Sequence, residues 1–312
     1  LFVSLILASA VDPIIDYFQN KKIPRGLTIV VIYFISLFII FSAIRLILPP
    51  IIDQVSQIFT NSPAYTEKIF SGFSFIKEYS RDHGILESLK QNLGALGSGV
   101  QGALGNVFSY LFNFFGGIFS FILILVLTFY MVVEESAIKK LIWSIAPDPY
   151  QNYIMALVGR MQIKMGMWLR GQLILSFIIF SFTYLGLLVL GVKYALVLAL
   201  IASLTEFIPY LGPTLGAIPA VFLAFGQDPI LALFVILLYF MVQWIENNIL
   251  VPKIMEKTVG LNPIISISVL MIGFQLAGVV GAILSIPVAT AAQELILDIF
   301  EYKEKGFLKK NN

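Results

Sequence analysis

The stretch Leu204–Ala220, LTEFIPYLGPTLGAIPA, lies inside a long apolar run and gives the strongest indication of the fold. It contains three prolines and two glycines, which are Pro209, Pro213, Pro219, Gly212 and Gly216. A proline removes a backbone hydrogen-bond donor and clashes with the preceding turn of a helix. One continuous helix over Ala195–Phe225 is therefore not expected, and we predict two half-helices, Ala195–Ile208 and Thr214–Phe225.

The composition indicates a polytopic membrane protein. Of the 312 residues, 59% are hydrophobic and only 12% are charged, and the mean hydropathy is +0.92. A soluble domain carries about twice that charged fraction. Several apolar runs of roughly 20 residues are long enough to cross about 30 Å of hydrocarbon. We therefore predict an all-α fold, a polytopic transmembrane helical protein with broken or re-entrant helices and an amphipathic extramembrane helical segment.

The same composition argues against several classes of function. The chain has no cysteine, and its single histidine, His83, lies in a polar segment, so we expect neither an enzyme nor a bound metal or cofactor. It contains no GxxxxGK[ST] phosphate loop, which argues against an ATP-driven pump. The net charge of +2 comes from basic residues that lie between the spans, so we expect no nucleic-acid partner.

We divide the chain into three regions. Residues 1–48 form the N-terminal spans, of which we expect the first to be truncated at its start. Residues 49–107 are mixed in charge, with apolar residues at three- and four-residue steps, and are predicted to be an amphipathic helical extramembrane segment. This segment could pack on the membrane or its own protomer, or form an oligomer contact. Residues 108–312 form a transmembrane transport core with broken helices at 195–225 and 263–300.

Charge asymmetry predicts the topology. Short loops rich in Lys and Arg stay in the cytoplasm, which places Asp12–Arg25 inside. Residues 195–225 then form a re-entrant hairpin that opens to the outside, and a single kinked crossing is the rival topology. Residues 263–300 exceed one span and predict a second hairpin. It is interrupted at three positions, Gly278, Gly281 and Pro287.

The leading candidate site residue is Glu206, an ionisable residue beside the helix break. A carboxylate at such a break can bind a proton or a cation, or it can accept hydrogen bonds from backbone amides freed around Pro209. Glu246 and Asn247 end an apolar span that also contains Gln243. Their oxygens could bind a cation or a polyol, or they could simply cap the helix.

Three further polar residues are weaker candidates. Arg170 and Gln172 could line an inner vestibule, but Arg170 could equally extend to lipid phosphates. Gln275 lies in the last broken helix, where it could contact a neutral polar solute or form an interhelical hydrogen bond. We expect Pro209, Gly212 and Pro213 to contribute the geometry of the site and not its chemistry.

Four segments together resemble the autoinducer-2 exporter-like transporters of bacteria and archaea. They are IPYLGPTLGAIPA (Ile208–Ala220), LRGQL (Leu169–Leu173), IENNILVPKIMEKTVGLNP (Ile245–Pro263) and GVVGAILSIPVA (Gly278–Ala289). The resemblance covers nearly the whole chain. It implies a multi-pass protein of the plasma (inner) membrane of a prokaryote and a homo-oligomeric ring, with five subunits as one candidate number. In this family the position of Glu206 is often an amide.

The resemblance implies two functions. The leading one is a secondary transporter or exporter of a small polar solute such as an autoinducer-2-like signalling molecule, working by alternating access at the broken helix. The alternative is a sodium- or lithium-for-proton antiporter, whose partners would be monovalent cations and protons. A third hypothesis, from another class, is an oligomeric membrane scaffold or passive channel. A lipid bilayer surrounds the chain in all three.

Overall fold

The computed structural model describes residues 1–39, 117–134, 146–208, 211–255 and 261–310, with isolated positions at 41, 42, 45, 49, 53, 57, 143 and 144. Regular structure in these described ranges is helical, which confirms the predicted all-α class. Most of the predicted amphipathic segment, 49–107, lies outside the described residues, so its packing stays a prediction.

Nine α-helices and one π-helix occupy the described ranges. In chain order they are α1 (Phe2–Gln19), α2 (Arg25–Ile39), α3 (Ile118–Val133), α4 (Asp148–Val189), α5 (Ala195–Thr205), α6 (Gly212–Gln227), α7 (Pro229–Ile245), the π-helix (Glu246–Leu250), α8 (Val251–Met255) and α9 (Pro263–Lys310).

Helix length and surface polarity agree with a membrane location. Four helical segments of the described chain are long and apolar enough to cross a bilayer: Phe2–Gln19, Asp148–Val189, Pro229–Met255 and Ile264–Asp298. Large apolar side chains cover their outer faces, and Phe177 on α4, for example, is 70% exposed. Contiguous apolar surface of this kind is unfavourable in water and favourable against lipid chains.

The break predicted from Pro209 and its neighbours is present. Helix α5 ends at Thr205 and α6 begins at Gly212, with Pro213 in its first turn, where a missing backbone donor is harmless. Pro209 itself lies outside the described residues. Pro219 stays inside α6.

Helices α5 and α6 fold back on each other and form what we call the first hairpin. A Cβ atom at Gly216 would lie 2.8 Å from Cα of Ala202, and one at Gly212 would collide with the Thr205 carbonyl oxygen. In one straight helix, Ala202 and Gly216 would lie about 21 Å apart, at 1.5 Å per residue, and a moderate kink would not bring them into contact. The segment is therefore a hairpin, and the single kinked crossing is wrong.

Helix α9 contains the second hairpin. Its backbone leaves helical geometry at Ala277 and Gly278, and Gly278 takes a positive φ of 59°, which glycine adopts without steric penalty. The two arms, 263–276 and 279–310, meet at Gly273 and Gly281, whose backbones touch. The predicted second hairpin is thus present.

The predicted interruptions at Gly281 and Pro287 are wrong, because both residues lie inside the second arm. Gly281 serves the contact between the arms. One proline removes one backbone hydrogen bond, and a long packed helix in an apolar setting tolerates that loss.

The chain forms two compact units. The first contains residues 1–37, 112–174 and 251–312, and the second contains residues 38–111 and 175–250. The core of the second unit joins α4, α5, α6 and α7 through small and aliphatic side chains, among them Leu187, Leu198, Ala220 and Val235. Because alanines lie at the contact face of α6, the first hairpin packs closely against α7.

Candidate functional site

A small cavity with several polar side chains in its lining lies within the second unit. Its empty volume is about 240 Å³ with its opening to solvent included. The enclosed part has room for about one water molecule or one small ion. The lining residues come from α4, from both arms of the first hairpin, from α7 and from the π-helix. They are Ile179, Thr183, Ala202, Glu206, Pro213, Tyr239, Val242, Gln243 and Glu246.

Glu206 enters the cavity because α5 ends there. It is the C-cap residue of α5, and its backbone N–H still donates to the Ala202 carbonyl over 3.2 Å. Glycine at position 212 lets the start of α6 pack against the backbone of Thr205 and Glu206. The carboxyl group is thereby held inside the unit, where the residue is 4% exposed.

Glu246 reaches the same cavity through a change of helix type. The α7 backbone widens at this residue into the π-helix, which re-aims the side chains that follow. Glu246 is 6% exposed, whereas Asn247 and Asn248 are exposed, and the Asn248 amide donates to the Trp244 carbonyl over 2.8 Å. Of the predicted pair Glu246 and Asn247, only the glutamate lines the cavity.

The two carboxyl groups form a buried pair. Glu206 and Glu246 line the same cavity and lie close enough to interact electrostatically, and Gln243 lines the cavity beside them. Two negative charges this close together in a dry site repel strongly, so one of the two groups is expected to carry a proton. The arrangement can therefore hold one exchangeable proton.

Two lining residues were missed by the sequence analysis. The hydroxyl oxygens of Thr183 and Tyr239 are buried and have no hydrogen-bond partner among the described residues. Both residues lie in apolar spans, where a lone Thr or Tyr is common. No signal in the sequence distinguishes them from ordinary packing residues.

The other predicted site residues lie apart from this cavity. Pro213 lines it and Gly212 supports it, but Arg170, Gln172 and Gln275 belong to the first unit and do not line it. Gln172 is buried, and Gln275 is exposed two residues before Ala277. Arg170 lies close enough to Asp12 to interact electrostatically with its carboxyl group.

No group of three or more His, Cys, Asp or Glu side chains suited to a metal ion occurs in the part of the chain that the structure describes. The cavity offers two carboxyl groups, one amide and two hydroxyls as polar groups. Oxygen ligands of this kind suit a small hard cation.

Comparison with known proteins agrees with a transport role. Residues 1–301 match the model of the AI-2E family transporter. YrrI of Bacillus subtilis, named only as a candidate transport protein, is 29% identical over 95% of this chain and 84% of its own length. YueF of the same organism, named likewise, is 28% identical over 98% of this chain and 86% of its own.

A further relative carries a more specific name. The AI-2 transport protein TqsA of Escherichia coli is 25% identical over 91% of this chain and 80% of its own length. The family match covers all of the described helices except the end of α9. The chain therefore belongs to the AI-2E family of transporters.

Proposed function

We propose that this protein is a secondary transporter whose coupling site is the Glu206–Glu246 carboxyl pair, and that the pair binds a proton and a monovalent cation in turn. The observation that carries the proposal is the presence of two buried carboxyl groups in the lining of one small cavity. A cation that replaces the shared proton would be neutralised by the same two groups, so the pair can exchange one ion for the other.

The size of the cavity favours an ion over a larger solute. The enclosed part of the cavity has room for about one water molecule or one small ion. A sugar-like signalling molecule has several times as many atoms and would require the cavity to open widely. Among the hypotheses drawn from the sequence, the geometry therefore supports cation–proton antiport better than export of a polar solute.

The way the site is built supports alternating access. One carboxyl group lies at the tip of the first hairpin and the other on the π-helix after α7. A hairpin whose two arms are too short to cross the bilayer can move as one body, at about 1.5 Å per residue over 11 and 16 residues. We propose that this hairpin is re-entrant and that its movement opens the pair to each side of the plasma membrane alternately.

Export of a small polar solute is the second candidate function. It is supported by the name of TqsA, which is an AI-2 transport protein. In that case the carboxyl pair would couple solute movement to protons, and the solute would bind in a more open conformation. A homo-oligomer is compatible with either function.

The test is reconstitution in liposomes with imposed proton, sodium and lithium gradients. In wild-type protein, an inward cation gradient is expected to drive protons outward. Glu206→Gln and Glu246→Gln are each expected to abolish that proton movement. The matched control is Glu134→Gln, the same change at an exposed glutamate at the end of α3, which is expected to keep wild-type coupling. Coupled proton movement that survives in both cavity variants would remove the proposal.

A further inference from the structure

Two hydroxyl groups in the cavity stand out because their hydrogen-bonding capacity is unused within the described chain. The Thr183 side chain is 1% exposed, and neither its hydroxyl oxygen nor that of Tyr239 has a partner among the described residues. A buried polar group without a partner destabilises a protein, so such groups call for an explanation. Both hydroxyl-bearing residues line the cavity of the carboxyl pair.

Thr183 does not make the local hydrogen bond that many helical hydroxyls make. Several serine and threonine hydroxyls of the described chain donate to the carbonyl four residues earlier at 2.8 Å, as in Ser9 to Leu5, Ser181 to Phe177, Thr205 to Ile201 and Thr290 to Ile286. Thr183 lies two residues after Ser181 on α4, and its hydroxyl does not make that local bond. It is left available to a species inside the cavity.

Four of the elements around the cavity contribute the hydroxyl and carboxyl groups in its lining. Thr183 comes from α4, Tyr239 from α7, Glu206 from the end of α5 and Glu246 from the π-helix. A proton shared by the carboxyl pair needs only two oxygens. A small cation binds more oxygen ligands than that, and it has to exchange its water shell for them.

On the basis of the proposed function, we propose that the hydroxyl oxygens of Thr183 and Tyr239 are ligands of the transported monovalent cation and determine how well the cation competes with the proton. Neutral oxygens on the walls complete the shell of a cation held by the carboxyl pair. They contribute little to holding a proton that the two carboxyl groups already share. Removing them therefore weakens cation binding selectively.

The test is the pair of near-isosteric variants Thr183→Val and Tyr239→Phe, assayed in liposomes beside wild type and Glu206→Gln. The readout is the cation concentration that gives half-maximal proton movement, measured at two pH values. The double variant is expected to raise this concentration by about tenfold, which corresponds to about 1.4 kcal/mol divided between the two lost ligands. The pH at which proton movement is half-maximal at saturating cation is expected to stay unchanged.

Ser176→Ala is the matched control. Ser176 also lies on α4, is buried, and has a hydroxyl with no partner among the described residues, but it does not line the cavity. It lies two turns from Thr183, about 10.5 Å along the helix. Because each variant removes a buried hydroxyl that lacks a partner, thermal stability is expected to hold or rise in all of them, and only the cavity variants should lose cation affinity.

The outcomes separate this inference from the function on which it rests. In one outcome, Glu206→Gln abolishes coupling, but Thr183→Val and Tyr239→Phe keep the wild-type half-saturating cation concentration. This result would leave the proposed function in place and overturn the role of the hydroxyls. An equal shift in Ser176→Ala would overturn it as well, because the effect would then belong to the helix and not to the cavity. Wild-type protein with no cation-coupled proton movement would remove both proposals.

Discussion

The two hairpins have the same kind of contact between their arms but differ in what lies at the turn. The first hairpin consists of α5 and α6, and the second consists of the two arms of α9. In each, a glycine in the second arm presses against the backbone of the first arm: Gly216 against Ala202, and Gly281 against Gly273. In each, a proline follows farther along the second arm. The glycines therefore specify the hairpin shape in both places.

The connections between the arms differ. The first hairpin joins its arms through residues 206–211, and this connection begins with a buried carboxyl group. The second turns within two residues, Ala277 and Gly278, and the helix around it is largely exposed and apolar, with Leu276 at 80% exposure. A hairpin shape alone therefore does not create a site. The first hairpin places a buried carboxyl group where its first arm ends, and on this difference we base the proposal that it is the coupling hairpin.

We expect the largest effects on stability and transport when alanine replaces a glycine at the contact between two arms. Gly212→Ala places a Cβ against the Thr205 carbonyl, and Gly281→Ala places one against the Gly273 carbonyl. Overpacking against backbone costs about 1–3 kcal/mol, so both variants should unfold at lower temperature in detergent. Only Gly212→Ala should also abolish cation-driven proton movement, because it displaces the carboxyl pair.

Gly159→Ala is the control for these substitutions, since a Cβ there meets no atom within 4 Å. We expect it to be neutral or to stabilise α4 by about 0.5–1 kcal/mol, as glycine-to-alanine changes in open helix positions do. Equal loss of transport in Gly212→Ala and Gly281→Ala would contradict the proposal that only the first hairpin takes part in coupling.

The next largest effect is the pH dependence of the half-saturating cation concentration, which should change only when residues of the carboxyl pair are replaced. If a cation displaces the proton of the Glu206–Glu246 pair, protons compete with it, and the half-saturating cation concentration rises by about tenfold per unit as pH falls. Either Glu→Gln variant should flatten this dependence. Ser268→Ala, at an exposed hydroxyl in the first arm of the second hairpin, should retain it. Transport titrations across a pH series measure the slope.

The smallest effect concerns the far end of the second hairpin. Glu294 accepts from Arg160 at 3.1 Å and from Lys164 at 2.5 Å, while Arg160 also pairs with Asp298, so this arm is tied to α4 within the first unit. Arg160 is 43% exposed, so solvent screens the network and its contribution is about 0.5–1 kcal/mol.

Glu294→Gln should therefore lower the melting temperature by about 1–3 °C at low salt. The difference should vanish near about 1 M salt, where screening acts over only a few ångströms. Thermal melts of detergent-solubilised protein at both salt concentrations measure it. A salt-independent loss would mean that Glu294 acts through packing and not through charge.

The sequence predicts the breaks well because their causes are local. Proline and glycine act on their own turn of backbone, so the first break appears at the expected place, with helix ends displaced by two or three residues. Pro287 shows the limit of this rule. One missing hydrogen bond does not end a helix that is long and packed.

The site is only partly predictable, because its formation depends on contacts between elements far apart in sequence. Glu206 is recognisable as a carboxyl group beside a break. From the sequence, Glu246 could be a ligand or a helix cap. It lies in the cavity because it is on a π-helix, which the sequence does not predict. Thr183 and Tyr239 look like packing residues until the missing local hydrogen bond is visible in three dimensions.

The central claim is that the carboxyl pair exchanges a proton for a cation, and proton release on cation binding tests it most directly. Sodium or lithium is titrated into purified protein in weakly buffered detergent solution containing a pH indicator. Wild-type protein should release about one proton per cation bound, and the Glu206→Gln, Glu246→Gln double variant should release none. Release of no proton by wild type, or the same release by the double variant, would contradict the account.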